Sequence, residues 1–251
     1  RDRYMNLRSP YTYVKCYYYI ETASLFLFIT QKIIKSPNFV TFLYMLSGVM
    51  GAFLLNSSID MLFYIGAFMV FTKGTFDWAD GPLARRLNKT SFLGHALDEY
   101  GAYVSDAAFR LAFIYYTFGY FPELMYLFPI VAFTLLVNKL NLFSDYIYLK
   151  DIVSNSSEKD NKVRNNEYEK IYKDSGKSVG IVKWYYRYIA FLDGRARSID
   201  FLLLLLIIDR FVDYHVSEVL LVLSILIFLR AMLMNVAGVY SAFKVYKTDS
   251  F

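Results

Sequence analysis

Residues 38–73 read NFVTFLYMLSGVMGAFLLNSSIDMLFYIGAFMVFTK, two apolar runs (38–55 and 59–73) parted by a short polar bridge. A helix that crosses a bilayer needs about 20 mostly apolar residues, and fewer where its ends snorkel. These are the first two expected spans. Working outward, four more follow: 92–118, which carries Asp98 and Asp106, then 123–149, 199–212 and 219–243. Upstream, 11–34 is rich in aromatic residues but broken by Lys15, Glu21, Thr22, Thr30 and Gln31. Aromatic side chains favour the depth of the lipid headgroups, so this stretch reads as a helix lying in the interface, with a seventh span as the competing reading.

Composition agrees. The 251 residues are 57% hydrophobic and 20% charged, with mean hydropathy +0.33. Soluble domains run at about 45–50% apolar and about a quarter charged. Twelve Gly and five Pro are too few for a loop-rich all-β chain, and one cysteine, Cys16, excludes an internal disulfide framework. The fold expected is an all-α integral membrane protein: six transmembrane helices preceded by an N-terminal interfacial amphipathic helix. In domain terms, 1–37 forms a cytoplasmic or interfacial segment and 38–251 the six-helix body. Within that body, 149–198 makes a cytoplasmic loop and interfacial stretch. With no initiator Met at Arg1, further residues are expected upstream.

The net charge of +5 and pI ≈ 9.0 say more about topology than about nucleic acid, because the basic residues gather between apolar runs. With the N-terminus inside, the inner segments hold Arg1, Arg3, Arg8, Lys15, Lys32 and Lys35, then Arg85, Arg86 and Lys89, and finally Lys244 and Lys247. The outer loops hold Arg210 alone. That asymmetry is what the positive-inside rule requires of six spans, and a seventh would spoil it. The hydrophilic run from 151 to 177 carries nearly balanced charges and no apolar period, which fits a solvated loop.

Acidic residues inside or at the ends of membrane helices cost a few kcal/mol each, so they are normally paired, buried inward or metal-bound. Asp77 and Asp80, three residues apart, share one helix face. A turn around Asn88 is expected to return the chain antiparallel and bring Asp98 to a similar depth. Carboxylates from two helices make a hard-cation site, favouring Mg²⁺, Mn²⁺ or Ca²⁺ over zinc. Ala79, Gly81, Ala84, Gly94 and Ala96 leave room for a ligand, although small residues also serve ordinary helix packing. Arg85 adds a planar fork suited to phosphate.

These residues resemble the CDP-alcohol phosphotransferases, whose signature is D-x-x-D-G-x-x-A-R, eight or more residues, then G-x-x-x-D-x-x-x-D. Here Asp77, Asp80, Gly81, Ala84, Arg85, Gly94 and Asp98 stand at the matching places, and Pro37, Asn38 and Thr41 match the family's P-N-x-x-T opening. The resemblance is sharp over 36–106 and topological beyond. It implies metal-dependent transfer of a substituted phosphate group from a CDP-linked alcohol to an acceptor alcohol, releasing CMP, in phospholipid or related lipid synthesis. By the same resemblance Asp77, Asp80 and Asp98 ligate Mg²⁺ or Mn²⁺. Gly81, Ala84 and Gly94 admit the cytidine moiety, Arg85 contacts the diphosphate, and Asn38 adds a polar contact. Lys139 and Arg197 are candidates to grip an acceptor phosphate, with snorkelling as the plainer reading. The resemblance further implies a homodimer in the lipid bilayer and an active site facing the cytoplasm, at the plasma membrane if the source is prokaryotic. No nucleic-acid partner is implied.

One position departs. Where the family has its fourth aspartate, thought to help hold a second metal and to act as general base, this chain has Ala102. Three readings stand open: an introduced Asp→Ala change that traps substrate, a substitute among Asp106, His95 and Glu99, or a chain that has lost catalysis. On an ideal helix His95 and Asp106 point within about 40° of the Ala102 direction and Glu99 about 60° away, all at different depths. Arg110, four residues after Asp106, reads first as its ion-pair partner. A transporter would also carry intramembrane carboxylates, but it gives no reason for the signature spacing and would call for a pair of broken-helix repeats.

Overall fold

The computed structural model describes residues 10–140, 195–211 and 216–248, and the described residues contain helices and no strand. In chain order the helices are α1 (Pro10–Thr30), α2 (Pro37–Leu54), α3 (Asp60–Thr72), α4 (Gly74–Arg86), α5 (Phe92–Gly119), a 3-10 turn (Pro122–Leu127), α6 (Phe128–Leu140), α7 (Arg195–Phe211) and α8 (Ser217–Thr248). Two of them, Pro37–Leu54 and Ser217–Val236, are long and apolar enough to cross a membrane. The other expected spans fall on helices that are shorter or more charged. Helices α3 and α6 have 13 residues each, α7 has 17, and α5 carries Asp98, Glu99, Asp106 and Arg110. Residues 141–149 of the fourth expected span, and most of the expected cytoplasmic loop, lie outside the described residues.

The chain divides into two compact units. One spans 1–128 with 206–224, and the other spans 129–205 with 225–251. Within the second, Asn235 donates to the Thr134 carbonyl at 3.0 Å, tying α8 to α6. The first unit is organised by α2, which packs against α5, α3 and α4, while α1 packs on α4. Helix α2 can take three neighbours because most of its inward residues are small or β-branched: Val40, Thr41, Ser47, Gly48, Gly51 and Ala52 are buried, with Tyr44 the one large side chain among them. At the α2–α3 crossing a Cβ on Gly66 would stand 2.7 Å from the Gly51 carbonyl oxygen, so only glycine allows these backbones so close. Across α1 and α4, the Tyr19 ring lies against Gly74, its hydroxyl donates to the Phe71 carbonyl at 2.8 Å, and the Thr22 and Thr75 hydroxyls pair at 3.0 Å.

Two local breaks set the site. At Lys73 the helix loosens: the Asp77 N–H reaches the Lys73 carbonyl only at 3.5 Å, while the Phe76 N–H takes the tighter 3-10 bond at 3.0 Å. The expected span 59–73 therefore ends as α3, and the signature begins a helix of its own. After Arg86, Asn88 takes φ 52°, a left-handed stop that Asn tolerates, and the Lys89 N–H caps the Ala84 carbonyl at 2.9 Å. The Ser91 hydroxyl then accepts from the Gly94 N–H at 3.0 Å and starts α5. The expected turn is present. Helices α4 and α5 both pack against α2, and Asp98 comes up beside Asp77, as the turn was expected to bring it.

Candidate functional site

The three signature carboxylates come together where α4 and α5 face α2. The Asp77 and Asp98 carboxyl groups lie within side-chain hydrogen-bonding reach of one another. Asp80 is buried, and the Thr41 hydroxyl on α2 donates to its Oδ2 at 2.7 Å. Helix α4 lies beyond the apolar α3, outside the two span-length helices, and its ionisation reflects crowding. Burial, then the charges of Asp98 and Asp80, push the Asp77 carboxyl up to about 7, against the pull of Lys73. Burial also raises Asp80 to about 6, with Asp98 adding to the rise while the Thr41 hydrogen bond, the Gly81 N–H and Arg85 oppose it.

Massed oxygen donors with too little positive charge are the kind of set a hard divalent cation takes. Among the described residues, no three His, Cys, Asp or Glu side chains already stand in metal-holding geometry.

The Arg85 guanidinium folds back over Gly81, where a Cβ would touch it at 3.4 Å. Asn38 lies beside Gly94, its Oδ1 3.3 Å from where a Cβ would stand, so α2 and α5 meet at their first turns. Ala84 and Ala102 are half-buried. Lys139 and Arg197 lie on α6 and α7, but their side chains, like that of His95, fall outside the described residues. Asp106 is 1% exposed and bound to Arg110, with Nε to Oδ1 at 3.0 Å, so the ion-pair reading holds and this carboxylate is engaged elsewhere. Glu99 is exposed.

Sequence reasoning passed over two residues. Thr41 stands in the sequence only as part of the P-N-x-x-T opening, and nothing in a one-dimensional pattern ties it to Asp80, 39 positions away. Lys73 closes the expected span 59–73, yet it is buried at 8% exposure, with Nζ 5.7 Å from the centre of the Tyr44 ring. Its spacing of four from Asp77 was the available signal.

No curated protein and no solved structure matches the chain. A family model does: CDP-alcohol phosphatidyltransferase, over residues 34–155. That segment runs from before α2 to beyond α6 and contains every carboxylate of the cluster. Residues 34–155, just under half of the chain, are thus similar to the CDP-alcohol phosphatidyltransferase family, whose members carry out phosphotransfer in lipid biosynthesis.

Proposed function

We propose that the protein is a membrane enzyme that transfers a substituted phosphate group from a CDP-linked alcohol to an acceptor alcohol, releasing CMP on the cytoplasmic side of a bilayer. The observation that carries this reading is the crowding of Asp77, Asp80 and Asp98 beside Arg85, in a chain whose family acts on CDP-alcohols. In the reaction the acceptor oxygen bonds to the phosphorus distal to cytidine. The bond from that phosphorus to the bridging oxygen breaks, CMP leaves with its electron pair, and the hydroxyl proton passes to a base or to water.

Asp77, Asp80 and Asp98 would hold Mg²⁺ or Mn²⁺, and a bound ion would offset the charge of the diphosphate and of the leaving oxygen. Thr41 fixes one oxygen of Asp80, leaving the other to a ligand. Arg85, held over Gly81, contacts the diphosphate. Gly81, Ala84 and Gly94 keep the cytidine side open, and Asn38 offers its amide at the mouth. Ala102 has no group to accept the acceptor's proton or to hold a second ion, so turnover is slow as the chain stands. Lys139 and Arg197 remain candidates for an acceptor phosphate.

The same reading takes the six expected spans as crossing the bilayer, α1 as resting in the interface, and the aromatic stretch 64–71 as a homodimer seam. Tyr64, Ile65, Phe68 and Phe71 are exposed there. The second reading, a CDP-binding protein without catalysis, rests on Ala102 alone.

Calorimetric titration with CDP-diacylglycerol and with CDP-linked headgroups, each with Mn²⁺ and with EDTA, tests the site. Metal-dependent binding of the cytidine diphosphate is expected. Binding that ignores both cytidine and metal would sink the enzyme and the binding-protein readings together and leave transport. Mass spectrometry of the products formed by an Ala102→Asp protein then separates the first two and names the acceptor.

A further inference from the structure

Two turns far apart in the sequence meet at one corner of the first unit. The Arg86 guanidinium donates to the Gln31 side-chain carbonyl at 3.2 Å, and the Lys89 ammonium donates to the Lys35 backbone carbonyl at 3.1 Å. These bonds join the α4–α5 turn to the α1–α2 turn. Lys32, Lys35, Arg86 and Lys89 are all exposed there. Residues 22–59 and 81–97 contain no Asp or Glu, and among the described residues no carboxylate pairs with any of the four. The positive-inside rule counts cations loop by loop. It gives no reason for bringing them together, which costs repulsion until a counter-charge arrives. Beside this corner one face of α1 is bare. Its inner face is fixed: Ala23 is buried with Ala79 and Leu83 of α4, and Phe26 meets Phe76 edge-on, ring centres 5.2 Å apart. Leu25, Phe28 and Ile29, three and four residues apart, stay exposed, and the following turn adds Ile33 at 81% exposure.

We propose that this corner is a docking surface for the anionic phospholipid headgroups of the cytoplasmic leaflet, with Leu25, Phe28, Ile29 and Ile33 set among the acyl chains beneath them. The inference rests on the reading of the chain as a membrane protein whose α1–α2 and α4–α5 turns face the cytoplasm. A Lys or Arg beside an anionic leaflet strengthens attachment about fivefold, and an apolar stripe next to cations is what an interfacial helix buries. A second copy of the chain fits this face poorly, since a two-fold seam centred here would set the same four cations against themselves. Arg86 follows Arg85 directly, so a headgroup held at the corner also fixes the depth of the signature helix at the leaflet surface.

The test is native mass spectrometry of the full chain in neutral detergent, titrated with phosphatidylglycerol or with phosphatidylcholine of the same acyl chains. The first phosphatidylglycerol should bind about tenfold tighter, and the difference should shrink as ammonium acetate rises from about 0.1 M to about 0.5 M. Lys32→Ser with Lys35→Ser should bring the two lipids to within about twofold of one another, while Lys32→Arg with Lys35→Arg should keep them apart. Both lysines are exposed, and serine leaves the Lys35 backbone carbonyl free to hold Lys89. Should the double variant not fold, Lys35→Ser alone should remove about fivefold of the preference. Lys244→Ser with Lys247→Ser removes two cations that the sequence puts on the same side of the bilayer, and it should change nothing. A preference that survives the loss of Lys32 and Lys35, or that falls equally with Lys244 and Lys247, overturns the inference. So does a shift from dimer to monomer in the Lys32 and Lys35 variant with the lipid preference intact, which would make the face a seam between copies. Equal binding of both lipids by the parent defeats the docking surface and leaves the membrane reading standing. If the parent retains neither lipid, the membrane reading fails and the corner falls with it.

Discussion

Helix α5 meets buried carboxylates near both of its ends, and they are treated in opposite ways. Toward its C-terminus, Asp209 of α7 accepts two phenol hydrogen bonds, from Tyr116 at 2.9 Å and Tyr120 at 2.7 Å. Beside it, Arg210 binds Asp60 and the Ser58 carbonyl, and lies over the Phe63 ring at 5.6 Å. Midway, Asp106 is paired with Arg110. Near the N-terminus, burial and the neighbouring charge of Asp98 push Asp77 and Asp80 upward, and the opposing groups, Thr41, Lys73 and Arg85, offset only part of that rise. A carboxylate that serves the fold is given donors from its own chain. One that serves a ligand is left under-compensated until the ligand arrives.

The sharpest way to break this contrast is at Ala102. If the crowded end is catalytic and lacks only its base, Ala102→Asp should raise the rate of CMP release by about 10²–10⁴-fold, measured by chromatography of the nucleotide product. An unchanged rate would mean that the base lies elsewhere. The next effect belongs to the compensated carboxylates. Arg110→Met takes the guanidinium away from the buried Asp106 carboxylate, which costs about 3–5 kcal/mol and should lower the thermal unfolding midpoint sharply. Adding Asp106→Asn should recover much of that loss. A single substitution with little effect would show that the pair is not a structural need.

How much of this was legible depended on range along the chain. The Asp106–Arg110 pair is a spacing of four on one helix, and the Asp77–Asp80 face is a spacing of three, so both could be read directly. The apolar runs gave α2, α3, α5, α7 and α8 to within a few residues, because hydrophobic length is a local property. Contacts made through a third element were not legible. Thr41 reaches Asp80 across 39 residues because α4 packs on α2, whereas the approach of Asp98 to Asp77 was readable from the turn between their helices. Lys73 misled for a physical reason: a lysine after an apolar run normally snorkels to water, and only the small surface of Gly48 and the Tyr44 ring let it turn inward. The break at Lys73 was equally hidden, since TFDWADG continues a helical pattern with no proline or cap to mark the join.

Ionisation sharpens the contrast between the two ends. Asp77 and Asp80, raised to about 7 and about 6 in the folded chain from an ordinary 3.8, hold protons that the unfolded chain has already released between pH 4 and 7. The folded state binds more protons across that window, so metal-free stability should fall as pH rises from 4 to 7. Thermal unfolding in EDTA across this range checks it. Mn²⁺ should flatten or reverse the slope, and Asp98→Asn, by removing a like charge, should shrink it. A metal-free midpoint that rises with pH would contradict the crowding.

The smallest expected effect lies at the self-sufficient end. Tyr120→Phe removes one of the two phenol donors on Asp209 and leaves Tyr116 in place. A hydrogen bond to a charged acceptor contributes about 1.5–3 kcal/mol, and the lower figure applies here because Asp209 keeps a donor and the Tyr120 side of the cluster is exposed to solvent. The unfolding midpoint should drop modestly, while Mn²⁺ affinity and CDP binding stay at parental values. Helix α5 spans about 42 Å, so a defect near its last turns has no electrostatic reach to Asp98. If metal or nucleotide binding moved with Tyr120→Phe, the two ends would be mechanically coupled through α5, and the division between carboxylates that build the fold and carboxylates that await a ligand would not hold.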